Sequence, residues 1–436
     1  MKYALAIAML VVLLPAGALC EEDYSRELKE LEQEIEKKPY TIGGYLEYRP
    51  ILFGLDKNAA LYKLRYFDHD LGNTLFQSNG AVWLEGSYTK GIATLFAATK
   101  SAYTASSIES TGQTVVYTGY LSLKPSPSLA LDFGKKTMKW GKGYAWNPAA
   151  FVDRPKDPED PELALEGYVV AGADYIKSFS GNLKTFSFTP VILPEYGSVN
   201  DDFGEPDKLN FAAKAYFLFY DTDIDIMALA GGSKTPRYGF DFSRNIGSNL
   251  EVHGEFAYIT HVKRMVIDSN GVVRQKTFDA VNYLAGLRYL SARDTTYIFE
   301  YYHQGTGLTN QEMKDFFSFV DKGYEDYIVR HNLRKLSRAI SLQTGGYAAL
   351  TPGTDYLYLR VSQKEPFDIL YFTPAITSIY NLHDRSLQVT PELLYAPITN
   401  LEFRLRTGLL VAGSKNSEFG EKPYDYRIEL RLRYYF

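Results

Sequence analysis

The sequence predicts an all-β fold, a transmembrane antiparallel β-barrel of about 18 strands with 16 and 20 also allowed, together with a short N-terminal periplasmic helix and a helical external loop. Three observations lead there. The chain opens on an export signal, its later segments alternate apolar and polar side chains, and short connections between those segments take turns with long ones. In a strand, successive side chains point to opposite faces, so a period of two means one apolar face and one wet face.

The elements follow in chain order. Residues 1–20, MKYALAIAMLVVLLPAGALC, have one Lys, a continuous apolar run and then small residues, the build of a secretory signal peptide. Cleavage after Ala18 or after Cys20 fits the small-residue rule; lipidation of Cys20 would want a small residue where Leu19 stands. A single Cys rules out a disulfide network, so stability rests on strand pairing and burial. A net charge of −5 argues against a nucleic-acid partner. Hydrophobic content is 45%, with 36 Tyr and 26 Phe. After the leader no run approaches the roughly 18 apolar residues of a spanning helix. A β-rich exported protein and a membrane barrel both fit that mixture.

The second unit, 21–39, holds SRELKELEQEIEKK, which sets Leu28, Leu31 and Ile35 on one helical stripe. It is too short for a coiled coil alone, so docking in the periplasmic mouth or a role in homo-oligomer contacts is expected. The third unit, 40–436, is the barrel. Alternating segments fall at about 41–55, 59–68, 80–89, 91–104, 113–124, 127–140, 167–178, 182–193, 209–220, 222–232, 236–245, 249–266, 279–291, 295–305, 353–364, 369–381, 387–395, 401–411 and 424–436. That is one too many, because bacterial single-chain barrels have even strand numbers. The surplus is placed in 42–68, where Pro50 and Asp56-Lys-Asn58 interrupt the pattern. Short turns such as 179–182, 221–223 and 398–400 alternate with mostly longer loops at 141–166, 194–208, 267–277, 306–352 and 412–423, as in barrels with short periplasmic turns and long external loops.

The last segment shows the two faces cleanly. Tyr424, Tyr426, Ile428, Leu430, Leu432, Tyr434 and Phe436 share one; Asp425, Arg427, Glu429, Arg431, Arg433 and Tyr435 share the other. A charge on a lipid face costs about 2–4 kcal/mol at mid-bilayer, so an uncharged face fits lipid and aromatics near strand ends fit the two interfaces. This terminal strand ending in Phe436 resembles the closing signature of Gram-negative outer-membrane proteins. The resemblance implies a bacterial outer-membrane location and reading of the strand by the barrel-assembly machinery.

A second stretch is KKTMKWGKGYAWNPAAFVDRPKDPEDPELALEG, 135–167. Its Trp140-Gly-Lys-Gly143 and Trp146-Asn-Pro148 resemble a W-G-x-G then W-N-P motif of porin-like outer-membrane families. Gly141 and Gly143 let the backbone leave the strand sharply, and Pro148, Pro155, Pro158 and Pro161 stiffen the loop. Trp140, Lys142, Trp146 and Asn147 are therefore candidate constriction residues, with a loop packed over the rim as the alternative. Further on, Thr309-Asn-Gln-Glu312 reads as a capping box opening an amphipathic helical hairpin over 308–342, a candidate lid.

The wet faces carry Glu47, Arg49, Lys63, Arg65, Glu85, Glu251, His253, Glu255 and Glu300 among others, and the candidate pore-lining or solute-binding residues Arg288, Arg360, Arg404, Arg406, Arg427, Arg431, Arg433 and Lys136. Guanidinium forks bind carboxylate or phosphate bidentately, which would make a track for small anions; structural pairing with Glu402 and Glu429 is the plainer reading. The six His have no catalytic partner spacing, and His253 and His261, read as sharing a strand face, are too far apart for one metal. The function expected is a non-enzymatic porin-like channel for passive diffusion of small polar solutes, anions included, with no cofactor or metal. Outer-membrane lipid, lipopolysaccharide and the solute are the partners. Uptake of hydrophobic compounds and a sealed barrel acting as scaffold or receptor are the rivals.

Overall fold

The computed structural model describes residues 38–347 and 349–436. The leader and all but the last two residues of the expected 21–39 helix lie outside them. Eighteen strands run in order: β1 (Tyr40–Leu55), β2 (Thr74–Lys90), β3 (Ala93–Ser106), β4 (Ser110–Ser126), β5 (Leu129–Lys136), β6 (Tyr168–Ser178), β7 (Leu183–Glu195), β8 (Lys208–Phe219) and β9 (Thr222–Ala230). They continue with β10 (Arg237–Ile246), β11 (Leu250–Ile267), β12 (Val273–Leu290), β13 (Thr295–Gln304), β14 (Asp355–Gln363), β15 (Phe372–Asn381), β16 (Leu387–Ile398), β17 (Leu401–Val411) and β18 (Tyr424–Tyr435). Each pairs with its chain neighbours, and β1 also pairs antiparallel with β18, which closes the ring. Closure leaves no exposed strand edge, the condition a sheet must meet in a bilayer. No helix among the described residues is long and apolar enough to cross a membrane.

The faces follow the sequence. On β18, Leu430 is 38% and Tyr434 47% exposed, whereas Glu429 is 3% and Arg431 6%. An apolar exposed face beside a charged buried one inverts a soluble protein's arrangement and is what a lipid-embedded wall requires. At the seam, the backbones of Gly44 and Phe436 exchange two hydrogen bonds of 3.1 Å. A Cβ at Gly44 would lie 2.1 Å from the Trp83 carbonyl oxygen, so this position admits no side chain without movement of the backbone.

The surplus segment at 59–68 is a helix, α1 (Ala60–Tyr66), in the external connection after β1. Lys63 and Arg65 therefore do not line a strand face; Lys63 Nζ instead bonds Asp321 at 2.6 Å. Asp321 belongs to α2 (Asn310–Arg330), which with α3 (Arg334–Leu342) forms the expected hairpin. Thr309 caps α2, and the Thr309–Glu312 capping box is complete. Ala60 and Leu64 of α1, Phe316, Phe317 and Val320 of α2 and Leu336 of α3 share one apolar core with Val266 and Ile267, so the three helices form a packed external cap. A second correction concerns His261. A bulge between Ile259 and Val262 shifts the β11–β12 register there, which takes His261 off the inward face carrying His253.

Candidate functional site: a loop clamped across the lumen

The loop between β5 and β6, 137–167, leaves the wall earlier than the sequence predicts. Asp153 accepts hydrogen bonds from the backbone N–H groups of Met138 at 2.7 Å and Trp140 at 2.8 Å, peeling these residues away from β6. Lys139 takes up the bend at φ 57°.

Two wall carboxylates then receive the loop. Glu255 of β11 accepts from the N–H groups of Lys142 at 2.6 Å, Gly143 at 2.5 Å and Ala149 at 3.0 Å. Glu300 of β13 accepts from those of Tyr144 and Ala145, the latter at 2.9 Å. Hydrogen bonds to a charged group contribute about 1.5–3 kcal/mol each, and irregular backbone inside a barrel needs such partners. The reason for the two glycines also becomes visible. A Cβ at Gly141, whose φ is +90°, would lie 2.8 Å from a Glu255 carboxylate oxygen, and one at Gly143 would lie 2.2 Å from the Trp146 carbonyl oxygen. Close approach demands them more than a sharp exit from the strand does.

The far limb of the loop meets the opposite wall. Asp160 faces Arg404 and Arg406 at 3.2 Å and Arg431 at 3.7 Å, and Glu159 pairs with Arg427 and, at 3.8 Å, Lys422. Around the ring, β11 and β13 lie five and seven strands beyond β6, while β18 and β17 lie five and six strands before β5. One loop fixed at three such separated places spans the lumen. Burial alone would push the Glu159 carboxyl upward, but the charges of Arg427 and Lys422 outweigh it and bring its pKa down to about 2. Asp160 is likewise held low against burial by Arg404, Arg406 and Arg431.

The residues singled out in the sequence fall into several environments. Trp140 is buried in an apolar cluster with Phe151, Tyr168 and Met227. Trp146 stacks on Tyr302 at 5.0 Å, near Tyr356 and Tyr358, and its Nε1 donates to Thr351 at 3.2 Å. Lys142 Nζ pairs with Asp225 of β9 at 3.0 Å. Asn147 braces the loop, donating to the Arg154 carbonyl at 3.2 Å and accepting from Lys156 N at 3.1 Å. Arg360 and Arg404 converge on Glu392 at 3.0 and 2.6 Å, Arg431 reaches Glu402 at 3.0 Å and Arg433 reaches Glu47 at 2.6 Å. All five arginines of β17 and β18 are thus engaged by carboxylates. Lys136 pairs with Asp132. Arg288 stands apart, exposed and opposite Glu251 in register towards the periplasmic end of β12. Glu255 and Glu300, which the sequence reading placed only as wall charges, are the residues that seat the loop.

No family model and no curated protein matches the chain significantly. Among solved structures it is similar to Wzi of Escherichia coli, an outer-membrane protein involved in group 1 capsule assembly and a carbohydrate-binding β-barrel, with TM-score 0.52, 10% identity and coverage of 95% of this chain and 89% of that one. OccK5 (OpdH) and OprD of Pseudomonas aeruginosa align over 91% of this chain and 98% and 95% of theirs, with 11% and 10% identity and TM-scores of 0.49 and 0.47. At 10% identity the likeness to Wzi concerns the β-barrel fold alone.

Proposed function

We propose that the protein is an outer-membrane, porin-like channel for passive diffusion of small polar solutes, with the 137–167 loop as its constriction. The observation that carries this reading is the unequal burial of the inward face. On β1–β4, Asn79, Trp83 and Ser122 are buried, but Glu85 and Gln113 are exposed and Arg49, Lys100 and Tyr117 partly exposed; on β11–β16, His253, Glu255, Glu300, Tyr358, Thr377 and Glu392 are buried. A polar track along β1–β4, bounded by the loop, gives a solute a path that the packed side denies it. Rows of charged and polar side chains of this kind set selectivity in pores. Arg49 and Lys100 keep access to that track and favour anions as the finer solute class. The W-G-x-G and W-N-P segments support the same reading, since they form the crossing loop. Outer-membrane lipid and lipopolysaccharide surround the apolar band, and the barrel-assembly machinery meets the strand ending in Phe436.

Single-channel recording in a planar bilayer tests this. Steady ohmic current is the expected result, and a larger current after deletion of 308–342 would identify the helices as a lid. Silence would overturn the channel and favour a sealed barrel acting as scaffold or receptor. The packed external cap and the fully buried Tyr356 and Tyr358 favour that second reading, and the carbohydrate-binding Wzi barrel offers a parallel for it.

A further inference from the structure

The arginines of β17 and β18 are neutralised by carboxylates, but two sheltered cations elsewhere are not. Lys234, in the 231–236 connection, and Arg237, the first residue of β10, form no ion pair among the described residues. Arg237 Nε donates to the Thr235 carbonyl at 3.4 Å. Lys234 Nζ lies 3.7 Å from the Phe203 ring centroid and 5.9 Å from that of Tyr168, and Arg154 covers the same Tyr168 ring at 4.5 Å. Two cations, Lys234 and Arg154, therefore share one aromatic pair, Arg237 lies near enough for its charge to act on Lys234, and of the three only Arg154 has acidic partners, Asp202 and Glu166.

The bed beneath them is rigid. Asn210 Nδ2 donates to Ser233 Oγ at 2.9 Å, Ser233 N donates back to Asn210 Oδ1 at 2.8 Å, and Glu205 N donates to the Ser233 carbonyl at 2.8 Å. Arg237 shares its strand face with the buried Asp241, whereas Tyr238 and Phe240 are exposed on the lipid side, so Arg237 points into the external half of the lumen. Both Lys234 and Arg237 keep partial exposure, and a small solute can reach them.

We propose that Lys234 and Arg237, flanked by Arg154, form an oxyanion-binding site in the external half of the lumen, taking a sulfate, phosphate or carboxylate group carried by a small solute. A sheltered charge without a partner is costly, and an arriving oxyanion removes that cost while accepting a guanidinium fork. Burial first, and then the charges of Arg237 and Arg154, pull the Lys234 ammonium down to about 7, with Asp153 opposing. Arg237, Arg154, Asp153 and Tyr168 are the charged and titratable groups that face it, and Glu166 and Asp202 are held by Arg154. Binding therefore weakens as pH rises through 7 and Lys234 loses its proton.

The test is equilibrium binding of sulfate, whose charge is constant over this range, to the full-length barrel in detergent at pH 6 and pH 8. Saturable binding at pH 6 is expected, with a loss of about tenfold in Arg237→Gln, one charge-assisted contact. Lys234→Arg should bind equally at both pH values, and Lys234→Gln should bind at pH 6 as the native protein does at pH 8. No saturable binding at pH 6, undiminished binding by a folded Arg237→Gln barrel, or an equal loss in the exposed Arg244→Gln would each overturn the site. Binding requires no conduction, so a silent bilayer sinks the channel and leaves this proposal standing.

Discussion

The inward face of β11–β18 and that of β1–β4 come from the same alternating pattern and meet different fates. On the first, most carboxylates and guanidinium groups, Arg288 excepted, have left water for one another and for the backbone of the 137–167 loop; on the second, Glu85, Gln113 and Lys100 keep their access to solvent. The difference teaches that a charge's direction along a strand does not make it a solute contact. What matters is whether the loop lands on it.

That contrast can be broken most severely at Glu255. Replacement by Ala orphans the N–H groups of Lys142, Gly143 and Ala149 at about 1–3 kcal/mol each, so the loop should detach, with protease cleavage within 137–167 and a rise in current. Unchanged protease resistance would show that the loop is held elsewhere. Acid should act on the far limb. Glu159 titrates at about 2 in the folded chain, below its ordinary 4.5, so its contribution is present above pH 4.5 and is lost as pH falls towards 2. The size is on the order of 3 kcal/mol, measured as loop cleavage by an acid-active protease between pH 5 and pH 2. Asp160→Asn should cost about 1–3 kcal/mol and leave Arg404, Arg406 and Arg431 less compensated, which a reversal potential shifted towards anions would register. Smallest on stability is Lys100→Gln on the open side: within about 0.5 kcal/mol in urea unfolding, with anion preference reduced.

Much of the fold was legible because its causes are local or periodic. Leu430 and Arg431 declare opposite faces by position alone, and the Thr309–Glu312 cap is written within four residues. Helix α1 was not legible, since Tyr62, Leu64 and Tyr66 alternate as a strand would and fold as a helix only through packing in the external cap and its margins. The site was half visible. Trp140, Gly141 and Gly143 marked the loop, yet the reason for Gly141, the Glu255 carboxylate, lies more than a hundred residues away in sequence. Lys234 and Arg237 carry no local signal at all; they become noticeable only once the partners of the other cations are known.

A last consequence concerns the seven backbone N–H groups, from Met138 to Ala149, that are satisfied by Asp153, Glu255 and Glu300. A helix or hairpin carries its own hydrogen bonds wherever it is moved, but this segment borrows most of its shape from the staves around it. Grafted onto a different barrel without Glu255 and Glu300, the same residues would arrive as an unshaped tether, whereas those two carboxylates could serve as a mould for a foreign insert of suitable length.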